Sequence, residues 1–133
     1  MTRGYSKQLP PAIFGVGKNY LDHAKEMGMD KKEDNMLIFM KNPNAMIGSG
    51  EAIRIPKICQ VNHGPQVDFE GELALIIGED CKNVSLDEAI SKIGWYAVAN
   101  DVSARWWQKK GSGGQFCRGK SFDTFCPISE PVP

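Results

Sequence analysis

A chain of 133 residues with 41% apolar and 24% charged side chains has the composition of one globular domain. Sixteen Lys and Arg balance sixteen Asp and Glu, so no global field draws the chain to nucleic acid or to an anionic membrane, and a small-molecule partner is expected. Nothing approaches the roughly 18 apolar residues of a membrane span, and Met1 to Pro11 lacks the apolar core of a secretory signal. The expected location is intracellular, either cytoplasmic or mitochondrial. Cys59, Cys81, Cys117 and Cys126 have neither C-x-x-C spacing nor a paired framework, and are read as free thiols.

The elements are short and mixed, and the class is α+β with strand dominant. Ala12 to Val16 predicts a first strand. Gly17, Lys18 and Asn19 turn the chain, and Asn19 caps a helix from Tyr20 to about Met27 that stops at Gly28. Met29 to Asn35 is a solvated loop. Leu37 to Lys41 is a strand ended by Asn42-Pro43, and Ala52 to Ile55 is another before Pro56. Val67 to Gly78 is β-like. Ser85 and Glu88 form a capping box for a helix over roughly Leu86 to Lys92, and Ile93 to Ala99 reads as a buried strand. No repeat, linker or low-complexity tract divides the chain.

Within Val67 to Gly78, alternation places Phe69, Leu73, Leu75 and Ile77 on one face and Glu70, Glu72, Ala74 and Ile76 on the other. Two carboxylates held this close repel. A hard divalent cation would compensate them directly, because such ions prefer oxygen ligands; the alternative is a strand end whose acids face water. Asp101, just beyond the strand 93–99, is placed either as a ligand on a rigid base or as the cap of a helical turn through Ser103 to Gln108. On that turn Arg105 and Gln108 share a face, where a guanidinium fork and an amide can grip a carboxylate. Trp106 and Trp107 read as packing or an oligomer contact, one indole buried and the other at a rim. His23 and Glu26, three apart on the first helix, form either a surface pair or a base for taking a proton from water. His63 is a loop residue.

Gly114 to Ser121 spells G-x-x-x-x-G-K-S, the phosphate-loop pattern. That loop needs a buried strand before it and a long helix after it. Here Gln108 to Gly113 is polar and glycine-rich, and Phe122 to Pro127 is β-like and closed by proline, so an NTPase is disfavoured.

Four ordered segments resemble the fumarylacetoacetate hydrolase family, nearest its small single-domain members: Gly17 to His23, Asp68 to Leu73, Asn100 to Arg105, and Gly119 to Pro127. The resemblance runs from about Phe14 to Pro127. It implies the N-terminal part of a mixed β-sandwich roll, a homodimer when intact, and Mg²⁺ or Mn²⁺ held by Glu70, Glu72 and Asp101. It also implies catalytic roles for His23 and Glu26, on a lid, and for Lys120. Arg105, Gln108 and Lys41 become substrate contacts. Similar enzymes hydrolyse acylpyruvates, decarboxylate oxaloacetate or interconvert its keto and enol forms.

These reactions share an enolate whose charge must be held while a bond breaks or a proton moves. A 2-oxo acid can chelate the cation through its carboxylate and keto oxygens, with Lys120 adding positive charge nearby. The family pattern continues well beyond Pro127, including a Thr-Gly-Thr-Pro-like loop. The expectation for 1–133 is therefore a single partial catalytic domain, lacking the C-terminal half of the domain and left with open strand edges. The alternative to an active enzyme is an inactive fragment that binds metal or associates with a full-length partner.

Overall fold

A computed structural model describes residues 9–17, 36–61 and 66–133. The expected helix from Tyr20 to Met27, with His23 and Glu26, the loop 29–35 and His63 lie outside the described residues.

β1 (Ile13–Gly17) pairs antiparallel with β2 (Leu37–Lys41), Ile13 facing Lys41 and Gly17 facing Leu37. Asn42 then stops β2, accepting a 3.0 Å bond from the Asn44 N–H and opening a 3-10 turn over Pro43–Ala45. A second sheet runs in the order β3 (Met46–Gly48), β8 (Cys126–Ile128), β6 (Ile93–Asn100), β5 (Gly71–Ile77). β3 lies parallel to β8, and the other neighbours are antiparallel. β5 and β6 pair from Gly71↔Asn100 to Ile77↔Ile93, with a bulge at Ile76/Ile77. Beyond the bulge, Gly78 and Gly94 approach so closely that a Cβ on Gly94 would stand 2.7 Å from the Gly78 Cα. Two residues of β4 (Val67–Asp68) pair antiparallel with β7 (Ser103–Ala104).

The strand-dominant α+β class is as expected, and among the described residues the α-helices are single turns: α1 (Leu86–Ala89), α2 (Arg105–Gln108) and α3 (Phe116–Lys120). The capping box forms in both directions: the Glu88 N–H donates to Ser85 Oγ, and the Ser85 N–H donates to Glu88 Oε2. Residues Ile90–Lys92 continue as a 3-10 turn. Two strand expectations need correction. Residues 52–55 are exposed and form no strand, because no neighbouring strand pairs with them; the Arg54 N–H instead donates to Thr124 Oγ1 at 2.8 Å. β6 is a strand but not a buried one. Only Ala97 is buried along it, and Val98 is 67% exposed.

The alternation read for 67–78 holds, with an unusual sense. Phe69, Leu73, Leu75 and Ile77 form an exposed apolar face, while Glu72, Ala74 and Ile76 are half-buried. The core sits elsewhere, around Cys59, Val102, Ala104 and Phe125, with Val67, Trp107 and Phe122 packed against it. Trp107 meets Phe122 edge-on, and Phe122 meets Phe125 with ring centroids 5.4 Å apart. Trp106 stacks edge-to-face on Trp107 at 4.8 Å; both are half-buried, so the division into one buried indole and one at a rim is not found. All four cysteines are free thiols, as read.

The segment spelling a phosphate loop follows a turn rather than a strand, and its helix is a single turn. Its lysine is committed to carboxylates, as described below.

Phe125 is fully buried at the centre of the small core. Phe125→Ala is expected to lower unfolding stability by roughly 3–5 kcal/mol in a urea titration. A loss under about 1 kcal/mol would mean that the aromatic cluster contributes little to holding the core together.

Candidate active site

Short ladders carry the polar residues to one place. The Asp101 N–H donates to the Glu70 carbonyl at 2.8 Å, the Glu70 N–H donates to Asn100 Oδ1 at 3.1 Å, and the Arg105 N–H donates to the Gln66 carbonyl at 2.7 Å. These bonds tie the β4–β5 link to the β6–β7 link, so two carboxylates 31 residues apart in sequence face one another across a fixed backbone frame. α3 closes the third side. A Cβ on Gly119 would lie 2.4 Å from the Gln108 backbone nitrogen, so only glycine lets α3 lie this close to α2.

The residue after that glycine is Lys120, 2% exposed. Its ammonium donates to Glu70 Oε2 at 2.5 Å, Asp101 Oδ2 at 2.6 Å and Ser103 Oγ at 2.7 Å. An ammonium has three donors, and all three are used. The Phe39 ring centroid is 5.0 Å from the same nitrogen, within cation–π range. Phe39 is set there by Gly15 on the facing strand, where any Cβ would collide with its ring.

Asp101 is shared between two cations, its Oδ1 accepting from Lys41 Nζ at 2.6 Å. Lys41 also donates to the Lys120 carbonyl. Burial pulls the Lys41 pKa below its ordinary value, and the neighbouring Asp101 carboxylate recovers only part of that loss. On the other side Arg105 binds Asp68 Oδ2 through Nε at 2.7 Å, Glu70 Oε1 through Nη1 at 2.5 Å, and Gln108 Oε1 through Nη1 at 3.1 Å. Burial alone would raise the Glu70 pKa, but Lys120 and Arg105 together outweigh it and hold the carboxyl below its ordinary range. Arg105 stays charged, its desolvation more than offset by Asp68 and Glu70.

Among the residues singled out in the sequence, Lys41, Glu70, Asp101, Arg105, Gln108 and Lys120 therefore meet in one network. Asp101 caps no helix: α2 begins after Ala104 without a side-chain cap, and the Ser103 hydroxyl donates to the Asp101 carbonyl. Glu72 is half-buried, and its carboxylate pairs with none of the described residues. Two members were missed. Ser103 offers no sequence signal, but Asp68 does, since Asp68, Glu70 and Glu72 continue the same period of two.

Among the described residues, no group of three or more His, Cys, Asp or Glu side chains stands ready as a metal cage; Glu70 and Asp101 turn their oxygens to Lys120 instead. The donor chemistry still fits a hard divalent ion. Two carboxylates already converge on one cationic centre, and Glu72 adds a third acid on the strand face of Glu70. Asp68, Glu70 and Asp101 pair with the three cations Lys41, Arg105 and Lys120, and Glu72 is a fourth carboxylate without a cation among the described residues, a charge that a divalent ion would offset.

The family profile described as fumarylacetoacetate (FAA) hydrolase C-terminal matches residues 12–133. The chain belongs to this family. It is 47% identical over 123 residues to an uncharacterized protein of Methanocaldococcus jannaschii, covering 92% of this chain and 48% of that protein. It is 41% identical over 119 residues to a mitochondrial oxaloacetate tautomerase of Xenopus laevis, covering 90% of this chain and 35% of that protein. Among solved structures, the 5-carboxymethyl-2-hydroxymuconate delta-isomerase of Mycobacterium smegmatis matches with a TM-score of 0.78 and 41% identity, over 94% of this chain and 47% of that one. The chain thus spans between a third and a half of the length of these relatives. Among the described residues, no helix is long and apolar enough to cross a membrane.

The depressed pKa of Glu70 sets a pH dependence. A carboxyl held lower in the folded than in the unfolded chain contributes stability above its unfolded pKa, and that contribution is lost as pH falls through the folded value. In chelator-treated protein, unfolding stability should fall from about pH 5 downward, with a shallower fall in Glu70→Gln. Parallel profiles for the two proteins would count against the Lys120–Glu70–Arg105 contacts.

Proposed function

We propose that the protein carrying this chain is a divalent-metal-dependent enzyme of small 2-oxo or β-diketo acids, working through an enolate. The observation that carries this reading is Lys120: a buried ammonium held by Glu70, Asp101 and Ser103, with two further cations beside it. Such a cluster is costly to assemble for stability alone, since buried ion pairs seldom outperform apolar packing. A fixed positive centre beside a developing oxyanion has a use that offsets this cost. The names of the relatives support the substrate class, since both a tautomerase of oxaloacetate and an isomerase of a hydroxymuconate move protons through enol forms.

In this reading Arg105 and Gln108 hold the substrate carboxylate, using donors that the network leaves over. Lys120 stands next to the oxygen on which negative charge accumulates, and Lys41 keeps Asp101 charged and oriented. Glu70, Glu72 and Asp101 would hold Mg²⁺ or Mn²⁺, which when bound supplies Lewis acidity toward the keto oxygen. His23 and Glu26 take the proton-transfer role on the strength of the family likeness. A homodimer, and a cytoplasmic or mitochondrial setting, belong to the same proposal.

The test is turnover of oxaloacetate and of an acylpyruvate, followed through the enol absorbance with Mg²⁺ present. Both Lys120→Met and Glu72→Ala should lose at least about a hundredfold in kcat. Turnover by the parent that survives both substitutions would contradict the proposal, as would no turnover by a folded, metal-loaded parent.

A further inference from the structure

Resting on that reading, we infer that Asp68 is a positioning residue: it fixes the Arg105 guanidinium so that one edge stays on Glu70 while the Nη2 edge is presented to the substrate carboxylate. Arginine has five donors in a rigid planar fork. Here Nε is taken by Asp68 at 2.7 Å, and Nη1 is divided between Glu70 at 2.5 Å and Gln108 at 3.1 Å. None of the described residues engages Nη2. A guanidinium bound at Nε and Nη1 cannot spin about its long axis, so the direction of the remaining pair of N–H groups is set.

Asp68 is suited to this task by its backbone. It pairs with Ser103 in the β4–β7 ladder, and the Arg105 N–H donates to the Gln66 carbonyl, so the carboxylate leaves one strand and the guanidinium the residue directly after its partner strand. Ser103 in turn accepts from Lys120. The ladder of two residue pairs thus sets both the arginine and the lysine. Without Asp68, Glu70 and Gln108 would still attract the arginine, but both act on the same nitrogen and leave the fork free to rotate. Asp68 carries no hydrogen bond to Lys120 and touches no group on which charge develops, so its effect should fall on carboxylate binding.

The experiment has two readouts on Mg²⁺-loaded protein. The first is the Arg105 Nε–H resonance, assigned by its loss in Arg105→Lys. It should be slowly exchanging in the parent, averaged with solvent in Asp68→Asn, and restored at least in part in Asp68→Glu. The second is affinity for oxalate by calorimetry, together with steady-state kinetics. Asp68→Asn should weaken oxalate binding and raise KM by about tenfold, with kcat falling less than KM rises, and Asp68→Glu should recover part of the loss. An Nε–H signal indifferent to Asp68→Asn overturns the inference, and so does unchanged oxalate affinity. If the parent turns over no 2-oxo acid but the resonance and oxalate affinity respond as stated, the reaction assignment fails and the positioning role stands.

Discussion

One ammonium group organises this structure. Lys120 is almost wholly buried, and a charge in that position is tolerated only if its donors are all met and its charge compensated. Meeting those two conditions fixes Glu70, before β5, and Asp101 and Ser103, together at the β6–β7 link. The bare edge of Gly119 lets α3 reach α2 and deliver the lysine, the β4–β7 ladder brings Ser103 to meet it, and the backbone bonds to Asn100 and Asp101 bring Glu70. Lys41 and Arg105 then neutralise the outward oxygens of the two carboxylates. The small aromatic core under Phe125 and Trp107 supports this frame from one side.

The fold was legible where local chemistry dominates. Leu37 to Lys41 is a strand to the residue, ended by Asn42-Pro43, because a side-chain cap and a proline act within three residues. The capping box of Ser85 and Glu88 is equally local. Legibility failed where the outcome depends on neighbours. Ala52 to Ile55 has strand composition but finds no partner, and a strand needs one. Residues 93–99 have the apolar content of a buried strand, yet burial is decided by what lies over the sheet. In the described residues that face of Leu73, Leu75, Ile77 and Val98 is exposed.

The site was legible in its members more than in its wiring. A period of two marked Glu70 and Glu72, helical spacing marked Arg105 and Gln108, and family likeness drew in Lys41 and Lys120. Spacing could not show that Lys120 sits between Glu70 and Asp101, since that contact spans 50 residues in one direction and 19 in the other. Nor could it separate the acids into different duties: Asp68 serves Arg105, Glu70 is shared between Arg105 and Lys120, and Glu72 pairs with none of the described residues. Ser103 was invisible because a serine two residues after an aspartate is ordinary in any turn.

The proposed divalent-cation site can be tested on the chain itself. The most direct measurement is thermal unfolding of the 133-residue chain with and without millimolar Mn²⁺ or Mg²⁺, with Glu72→Ala as control. A ligand that binds only the folded state must raise its stability, by about 2.7 kcal/mol at a hundred times Kd. The account predicts a cooperative transition that moves up with metal in the parent and does not move in Glu72→Ala. A cooperative transition indifferent to metal in both proteins would contradict it.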